Sequence, residues 1–179
     1  MITTDKVIEI FCIADDFCKE YEKEIQNHQL QAGNVSKKRN RQTRMSQSEI
    51  ITVMVCLHCS TLQNIKHYYR LYICEHMNSY FPNAVSYNRF VELQPRTIVP
   101  LMLLLKLVGF GECTGITYVD STPIKVCHNK RIYSNKVFKD IAQRGKSTMG
   151  WFFGFKLHLV CNEKGELLNF SLTKGNVDD

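Results

Sequence analysis

Apolar residues near the start of the chain recur at helical spacing. Over residues 5–28 they fall every three or four positions, which places them on one face of an α-helix. This pattern predicts an amphipathic helix that packs against a core. The predicted buried face consists of Val7, Ile10, Phe11, Ala14, Phe17, Cys18, Tyr21 and Ile25.

A second helix is predicted from its start signal. In the stretch MSQSEI, Ser46 can cap the helix and Glu49 can bond back to the cap. Met45 and Ile50 can pack together as a hydrophobic staple across the same turn. We expect this helix to cover about residues 47–62, with another helix following through NIKHYYRLYICEHM.

Two prolines punctuate the next apolar stretch. FPNAVSYNRFVEL is typical of a loop followed by a short helix that begins at Ser86. Pro95 and Pro100 then interrupt the pattern, and LMLLLKLVGF predicts a buried helix that ends near Gly109. The first 110 residues are therefore expected to be mostly helical.

After Gly111 the pattern changes from helical to strand-like. ITYVD is a short β-branched and aromatic run, and residues 124–150 are expected to form a basic, irregular insert. WFFGFKLHLVCN alternates apolar and other residues, and a four-residue turn at 162–165 leads into ELLNFSLTK. These runs predict three strands, of which the last two form an antiparallel hairpin.

Together the patterns predict an α+β protein with two regions. The first, over residues 1–112, is helical, and the second, over residues 113–179, is rich in strands. With 44% hydrophobic and 22% charged residues, the composition is that of a soluble globular protein. The longest apolar run is too short to span a bilayer, so no membrane association is expected.

Charge and cysteine content indicate the kind of partner and the cellular compartment. The net charge of +6 and the isoelectric point near 8.9 favour an anionic partner without specifying one. The N-terminus lacks the features of a secretory signal, and most of the eight cysteines lie in apolar stretches. Both observations indicate reduced thiols in a cytoplasmic protein.

Asp120 is a carboxylate at the end of the ITYVD run. Such a residue suits a divalent cation, because Mg²⁺ prefers oxygen ligands and takes one or two carboxylates. It also suits an ordinary strand end, where the carboxylate bonds to Ser121 or Thr122 and starts a turn before Pro123. The spacing alone leaves both interpretations open.

A one-sided basic segment follows Asp120. Eight basic residues are opposed by Asp140 alone, with aromatic and amide groups between them. This composition favours contact with a phosphate backbone over a merely solvated loop. A second basic run, Lys37–Arg44, is equally compatible with DNA contact and with a solvated linker. The eight residues are Lys125, Lys130, Arg131, Lys136, Lys139, Arg144, Lys146 and Lys156.

Two further motifs carry weaker signals. Cys56 and Cys59 form a CxxC around His58, but no second metal-binding pair follows at finger spacing, so core cysteines are favoured over zinc ligands. The stretch SYNRF could begin a recognition helix that exposes Asn88 and Arg89, or it could simply be a capped helix end.

Taken in order, several blocks resemble the DDE transposases of the IS982 family, within the group that includes the IS4 and IS5 insertion elements. The blocks are MSQSEIIT, FPNAVSYNRFVEL, YVDSTPIKVCHNKRI and the long stretch from VFKDIAQRGKSTMGW to SLTKGNVDD. The resemblance implies a helical DNA-binding region before an RNase H-like catalytic domain. It also implies that Asp120 is the first of three catalytic carboxylates.

The same resemblance sets expectations for the rest of the site. The usual blocks for the second and third carboxylates are not present, so we expect a truncated chain that is inactive alone; Asp179 is a weaker candidate ligand. Lys156 and His158 match a family block and are candidates for phosphate contact, or for an exposed strand face. Mg²⁺ or Mn²⁺ is the implied cofactor, and only with the complete carboxylate set.

The implied partners are the terminal inverted repeats of an element and its target DNA, bound by a homodimer of the full-length protein. Two other functions remain open. One is a non-catalytic DNA-binding protein, either a transposase remnant or a repressor-like module. The other is a metal nuclease of RNase H type that does not transpose DNA.

Overall fold

The computed structural model of the chain describes residues 2–31 and 43–177 (residues 29–31 by their backbone only). Within these ranges the fold is α+β, as predicted: helices come first and an antiparallel sheet follows. The chain divides into two compact units, which meet in sequence at Leu105 and Lys106. No helix in the described ranges has the length and apolarity to cross a bilayer. The main elements are α1 (Thr4–Gln31), α2 (Gln47–Cys59), α3 (Ile65–His67), a π-helix (Tyr68–His76), α4 (Tyr87–Val108), β1 (Thr117–Cys127), β2 (Gln143–Ser147), β3 (Gly150–Asn162) and β4 (Leu167–Lys174).

The predicted buried face of α1 is confirmed. Val7, Ala14 and Cys18 are almost fully buried, and the other five predicted positions are at least half-buried. Against this face packs α2, with Ile51 in the same cluster as Ala14 and Cys18. A hydrogen bond from the buried Ser48 hydroxyl to Asp15 Oδ1, 2.9 Å long, fixes the pairing of the two helices.

The capping box of α2 is also confirmed. Ser46 Oγ accepts from the Glu49 amide at 3.1 Å, and Glu49 Oε2 accepts from the Ser46 amide at 2.6 Å. Met45 and Ile50 lie together in the main core cluster. The helix ends at Cys59, three residues before the predicted end, because Ser60 takes an extended conformation and its amide and hydroxyl bond back to the Leu57 carbonyl.

The predicted helix over NIKHYYRLYICEHM has an unexpected form. One α-helical turn, α3, begins at Asn64, whose side chain accepts from the amides of Lys66 and His67. The chain then widens into the nine-residue π-helix, which is unusual because π-helices mostly occur as single turns. Tyr68, Tyr69 and Ile73 of this π-helix lie in the core.

The prediction of two helices separated by prolines is wrong: α4 is continuous from Tyr87 to Val108, with Pro95 and Pro100 inside it. The prolines remove two backbone hydrogen bonds, but packing of the face formed by Phe90, Leu93 and Leu104 maintains the helix. The prediction that its second half is buried is also wrong. Several apolar side chains there are exposed: Ile98, Val99, Met102, Leu103, Leu107 and Val108.

The sheet is organised around β3. One side of β3 pairs with β1 along nearly its whole length, and the other side pairs with β2 near its start and with β4 near its end. All of these pairings are antiparallel. The β3–β4 hairpin was predicted and is confirmed. Its turn is held by the buried Asn162, whose Oδ1 accepts from the amides of Lys164 and Glu166.

The prediction that the first strand stops at Asp120 is wrong. β1 continues to Cys127, so Asp120 lies inside the strand and Pro123 does not start a turn. Proline is tolerated because β1 has only one neighbour among the described strands, and an edge strand does not need every backbone donor. Beyond Pro123, Ile124 and Val126 favour extended backbone.

The segment predicted as irregular is therefore partly ordered. It contains the end of β1, a 3₁₀ turn at Asn129–Arg131, and the additional strand β2. The described sheet thus has four strands where three were predicted. β2 was missed because its residues, QRGKS, are polar and contain glycine, which is not typical of strands. Pairing with the strongly strand-forming start of β3 overrides that local preference.

Candidate functional site

Asp120 lies in the first half of β1, directly opposite Leu159 of β3. Its side chain is exposed, and Oδ1 accepts a 2.8 Å hydrogen bond from the amide of Ser121. Pro123 has no amide proton to donate to β3, and its nitrogen therefore faces away from that strand. Because backbone groups alternate in direction along a strand, the amide of Ser121, two residues earlier, also faces away from β3. The Asp120 carboxylate therefore reaches the outer edge of β1, where its remaining lone pairs stay accessible.

The surroundings of Asp120 on the sheet are mostly apolar. Directly paired residues project from the same face of an antiparallel sheet. Leu159 faces Asp120, and Phe170 lies beyond it on β4. We call this side of the sheet the Asp120 face. It consists of Tyr118, Asp120, Thr122 and Ile124 of β1, Phe155, Leu157 and Leu159 of β3, and Phe170 and Leu172 of β4.

Lys156 and His158 lie on the opposite face. Lys156 pairs with Pro123 and Thr173, and His158 pairs with Ser121. The Lys156 side chain is only 8% exposed, and His158 Nε2 lies 2.8 Å from the Thr173 hydroxyl. The register thus separates these two candidates from Asp120, and the burial of Lys156 does not suit direct contact with a phosphate.

The other basic candidates are all exposed. They lie at the end of β1, on the 3₁₀ turn, in the loop after it, and on β2. None of the ion pairs among the described residues includes any of them. Their charge is therefore available to an external anion. These residues are Lys125, Lys130, Arg131, Lys136, Lys139, Arg144 and Lys146.

Two hydrogen bonds fix the 3₁₀ turn that carries Lys130 and Arg131. His128 Nδ1 accepts from the Lys130 amide at 3.3 Å, which caps the turn. The Asn129 side chain donates to the carbonyl of Trp151 at 2.8 Å and so ties the turn to the start of β3. The cations of this turn consequently lie beside the β2–β3 hairpin.

An open cleft of about 330 Å³ lies in the same region. Arg144 is its cationic residue, and Tyr133 and Phe153 contribute aromatic surface. Arg144 and Phe153 face each other across β2 and β3. The full lining is Ile132, Tyr133, Ala142, Gln143, Arg144 and Phe153.

A complete metal site is not formed by the residues that the structure describes. Among residues 2–31 and 43–177, no group of three or more His, Cys, Asp or Glu side chains could hold a metal ion. Asp120 is thus a single carboxylate whose sheet neighbours are apolar. Asp179, the weaker candidate ligand, lies outside the described residues, as do residues 37–42 of the first basic run.

Residues 110–179 match the family model of the transposase DDE domain. This match spans all four strands of the sheet, including Asp120 and the exposed basic residues. It therefore supports a DDE transposase domain in the second part of the chain, on grounds independent of the geometry. No curated protein and no solved structure matches the chain significantly.

The helical unit holds the two weaker motifs. Cys56 belongs to the core, and burial raises its pKa to about 12, whereas Cys59 is exposed. Ser86 Oγ accepts from the Arg89 amide at 3.4 Å, which agrees with a capped helix end. Arg89 remains on the surface and pairs with Glu92 at 2.8 Å.

The sequence placed Tyr133 among the aromatic residues of the basic segment, but it gave no role to Trp151; the two side chains are 94% and 63% exposed. Sequence reasoning also missed Gly154, where a side chain would overlap the Ile124 carbonyl of β1. The signal for Trp151 was its place at the start of an alternating run, directly after the turn-forming Gly150.

Proposed function

We propose that the chain belongs to an insertion-sequence transposase of the IS982 family, and that its second part contributes to DNA cleavage and strand transfer. The observation that carries the proposal is the match of residues 110–179 to a transposase DDE domain, within which Asp120 lies exposed at the edge of β1. The exposed cations of the same unit, which form no ion pair with another described residue, support DNA as the partner.

In this proposal Asp120 is the carboxylate nearest to the reacting phosphate. The exposed basic residues of the second unit hold the neighbouring phosphates, and the helical unit binds the terminal repeats. Mg²⁺ or Mn²⁺ is the expected cation once further carboxylates complete the set, because such ions prefer several oxygen ligands. We expect two copies of the protein to bring two element ends together.

DNA binding is tested by measuring the affinity for a labelled duplex between about 50 and 200 mM salt. If seven lysine and arginine side chains supply the contacts, the logarithm of the affinity should fall steeply with the logarithm of salt concentration. Lys130→Ala and Arg131→Ala should each make this slope less steep by about 0.9. The matched control is Lys164→Ala, an exposed lysine of the β3–β4 turn outside the basic segment. Equal slopes in all variants would remove the support for this surface.

A non-catalytic DNA-binding protein is the second candidate function. It is favoured by one observation: the described residues supply Asp120 without a cluster of further metal ligands. The two candidates differ in one assay, in which the protein translated from the whole reading frame is incubated with element-end duplexes and Mg²⁺. Nicking that Asp120→Asn abolishes, with DNA affinity retained, supports the transposase. Salt-dependent binding without any nicking supports the non-catalytic protein.

A further inference from the structure

The β2–β3 hairpin ends in a tight, exposed tip. Ser147 pairs with Gly150, so only Thr148 and Met149 form the turn. Gly150 has a φ of 107°, a conformation that glycine adopts without strain. The Ser147 hydroxyl bonds to the Gly150 carbonyl at 3.2 Å. The tip is therefore well defined by its backbone.

Trp151 lies beside this tip with 63% of its surface exposed. Lys146 is its direct partner across the hairpin, so both side chains project from the same face. The hydrogen bond from Asn129 to the Trp151 carbonyl brings the turn with Lys130 and Arg131 close by. An exposed indole thus stands among cations that no acidic side chain of the described residues neutralises.

Burying an indole removes a large apolar area from water, so an exposed indole offers a favourable contact to a partner that covers it. The partner must be flat enough to stack on the ring and anionic enough to satisfy the neighbouring cations. An unpaired DNA base meets both requirements, because its planar ring stacks on aromatic side chains and its phosphates attract lysine and arginine. A base paired within a duplex offers the phosphates without an accessible ring face.

We propose that Trp151 stacks on an unpaired base of the DNA substrate, while Lys146 and the cations of the 3₁₀ turn hold the flanking phosphates. This proposal rests on the proposed function and adds a single-stranded subsite to it. Tyr133 of the nearby cleft, at 94% exposure, provides a second aromatic surface for an adjacent base.

The distance from Asp120 follows from the sheet register. Residues of equal parity on β3 share a face, so Trp151 projects on the same side as Leu159, the partner of Asp120. Eight residues of β3 separate Trp151 from Leu159, which corresponds to about 26 Å. The unpaired base therefore lies about 26 Å from a phosphate bound at Asp120.

Trp151 is the single tryptophan of the chain, so its intrinsic fluorescence reports this site alone. The 179-residue chain is titrated with three DNA probes of equal length: a single-stranded oligothymidylate, the same backbone with abasic sites, and a blunt duplex. We expect quenching by the oligothymidylate and little change with the other two probes.

Mutagenesis gives an independent measurement. Trp151→Ala should weaken binding of the oligothymidylate by about 5- to 150-fold, the range for loss of one stacked base, and should leave duplex affinity almost unchanged. Trp151→Phe should retain most of the affinity, since it keeps a ring that can stack. The matched control is Tyr80→Ala, which removes a half-exposed aromatic residue of the helical unit.

The outcomes separate this inference from the function on which it rests. Salt-dependent duplex binding, with unquenched Trp151 and equal affinities for wild type and Trp151→Ala, would overturn the stacking site and leave the proposed function in place. Failure to bind any of the three probes would overturn both. If Trp151→Ala does not fold, the quenching of the wild-type protein and the affinity of Trp151→Phe still decide the question.

Discussion

Tyr68 and Tyr69 are neighbours in the π-helix, and both are fully buried, yet their hydroxyl groups differ. The hydroxyl of Tyr69 donates to the Val85 carbonyl at 2.7 Å. Among the residues that the structure describes, none forms a hydrogen bond with the hydroxyl of Tyr68. Burial raises the pKa of both groups, so each stays neutral at physiological pH. The pair therefore separates the effect of a satisfied buried hydroxyl from that of an unsatisfied one.

Replacing each residue by phenylalanine should give opposite results. Tyr69→Phe removes a donor and leaves the Val85 carbonyl without it, so the free energy of unfolding should fall by about 1 kcal/mol. Tyr68→Phe removes only an unpaired polar atom, and stability should stay constant or rise by up to about 1 kcal/mol. Urea unfolding of both variants measures the difference, and similar losses in the two would contradict the assignment.

The CxxC motif predicts a contrast in thiol reactivity. Desolvation raises the pKa of Cys56 to about 12, and the thiolate is the reactive form. At pH 8 Cys56 should therefore resist iodoacetamide in the native protein, while the exposed Cys59 is alkylated. Peptide mass spectrometry with increasing time of labelling measures both sites. As a control, the two cysteines should react at similar rates in urea, where the protein is unfolded. Similar alkylation rates of Cys56 and Cys59 in the native protein would contradict the prediction that burial protects Cys56.

At the residue scale, the sequence was informative where the chemistry is local. The capping box of Ser46 and Glu49 was predictable because both partners lie within one turn. Asp120 was recognisable as a candidate, but its place inside a strand was not, because that depends on pairing with β3, about forty residues away in sequence. Trp151 was missed since hydrophobicity does not reveal which strand end lies at a surface.

At the level of elements, the contact between β1 and β3 depends on Gly154. A β-carbon at this position would overlap the Ile124 carbonyl, and β1 carries one extra residue between Lys125 and Cys127 at this point. The bulge and the glycine together let the strands approach. Gly154→Ala should therefore separate β1 from β3 and destabilise the second unit by about 2–4 kcal/mol.

The measurement for Gly154→Ala is thermal unfolding followed by Trp151 fluorescence, which reports the sheet. Ser171→Ala, at an exposed position of β4, serves as the matched control and should change little. A stable Gly154→Ala variant with native fluorescence would show that the strands can adjust without cost, contrary to the geometry.

The helices were easier to predict than their details. Periodic apolar residues located α1 and α2, because an amphipathic face is visible in the sequence itself. The π-helix and the passage of α4 through Pro95 and Pro100 were not predictable from propensity, since both oppose it. In each case side chains buried on one face, such as Tyr69 and Phe90, stabilise a backbone that the local sequence disfavours.

At the scale of the whole molecule, the two units differ in how much they bury. Among the described residues, the main core cluster has thirteen buried members, all in the helical unit, whereas many apolar side chains of β1 and the Asp120 face are exposed. Native-state hydrogen exchange should reflect this difference. The amide of Ile51 in α2 should exchange at least about a hundredfold more slowly than the amide of Val119. Val119 and Pro123 are separated by an even number of positions along β1, so the amide of Val119 faces away from β3.

Exchange followed by NMR or mass spectrometry provides this comparison in a single sample. Equal protection of the two amides would mean that the sheet opens only when the whole molecule unfolds.

The α+β order of elements could be predicted from the change in periodicity after Gly111. The unequal burial could not, because it depends on which faces of the completed elements remain uncovered.

Among the described strands β1 lies at the edge of the sheet, which has a practical consequence for handling the protein. A strand with one free side presents main-chain groups on which another copy can pair, and such edges promote aggregation. Pro123 interrupts that row, because it offers no amide to an incoming strand. The charges of Asp120 and Lys125 on either side oppose a flat, dry contact. We therefore expect the same short stretch that bears the proposed catalytic acid to oppose aggregation in concentrated solutions of the protein.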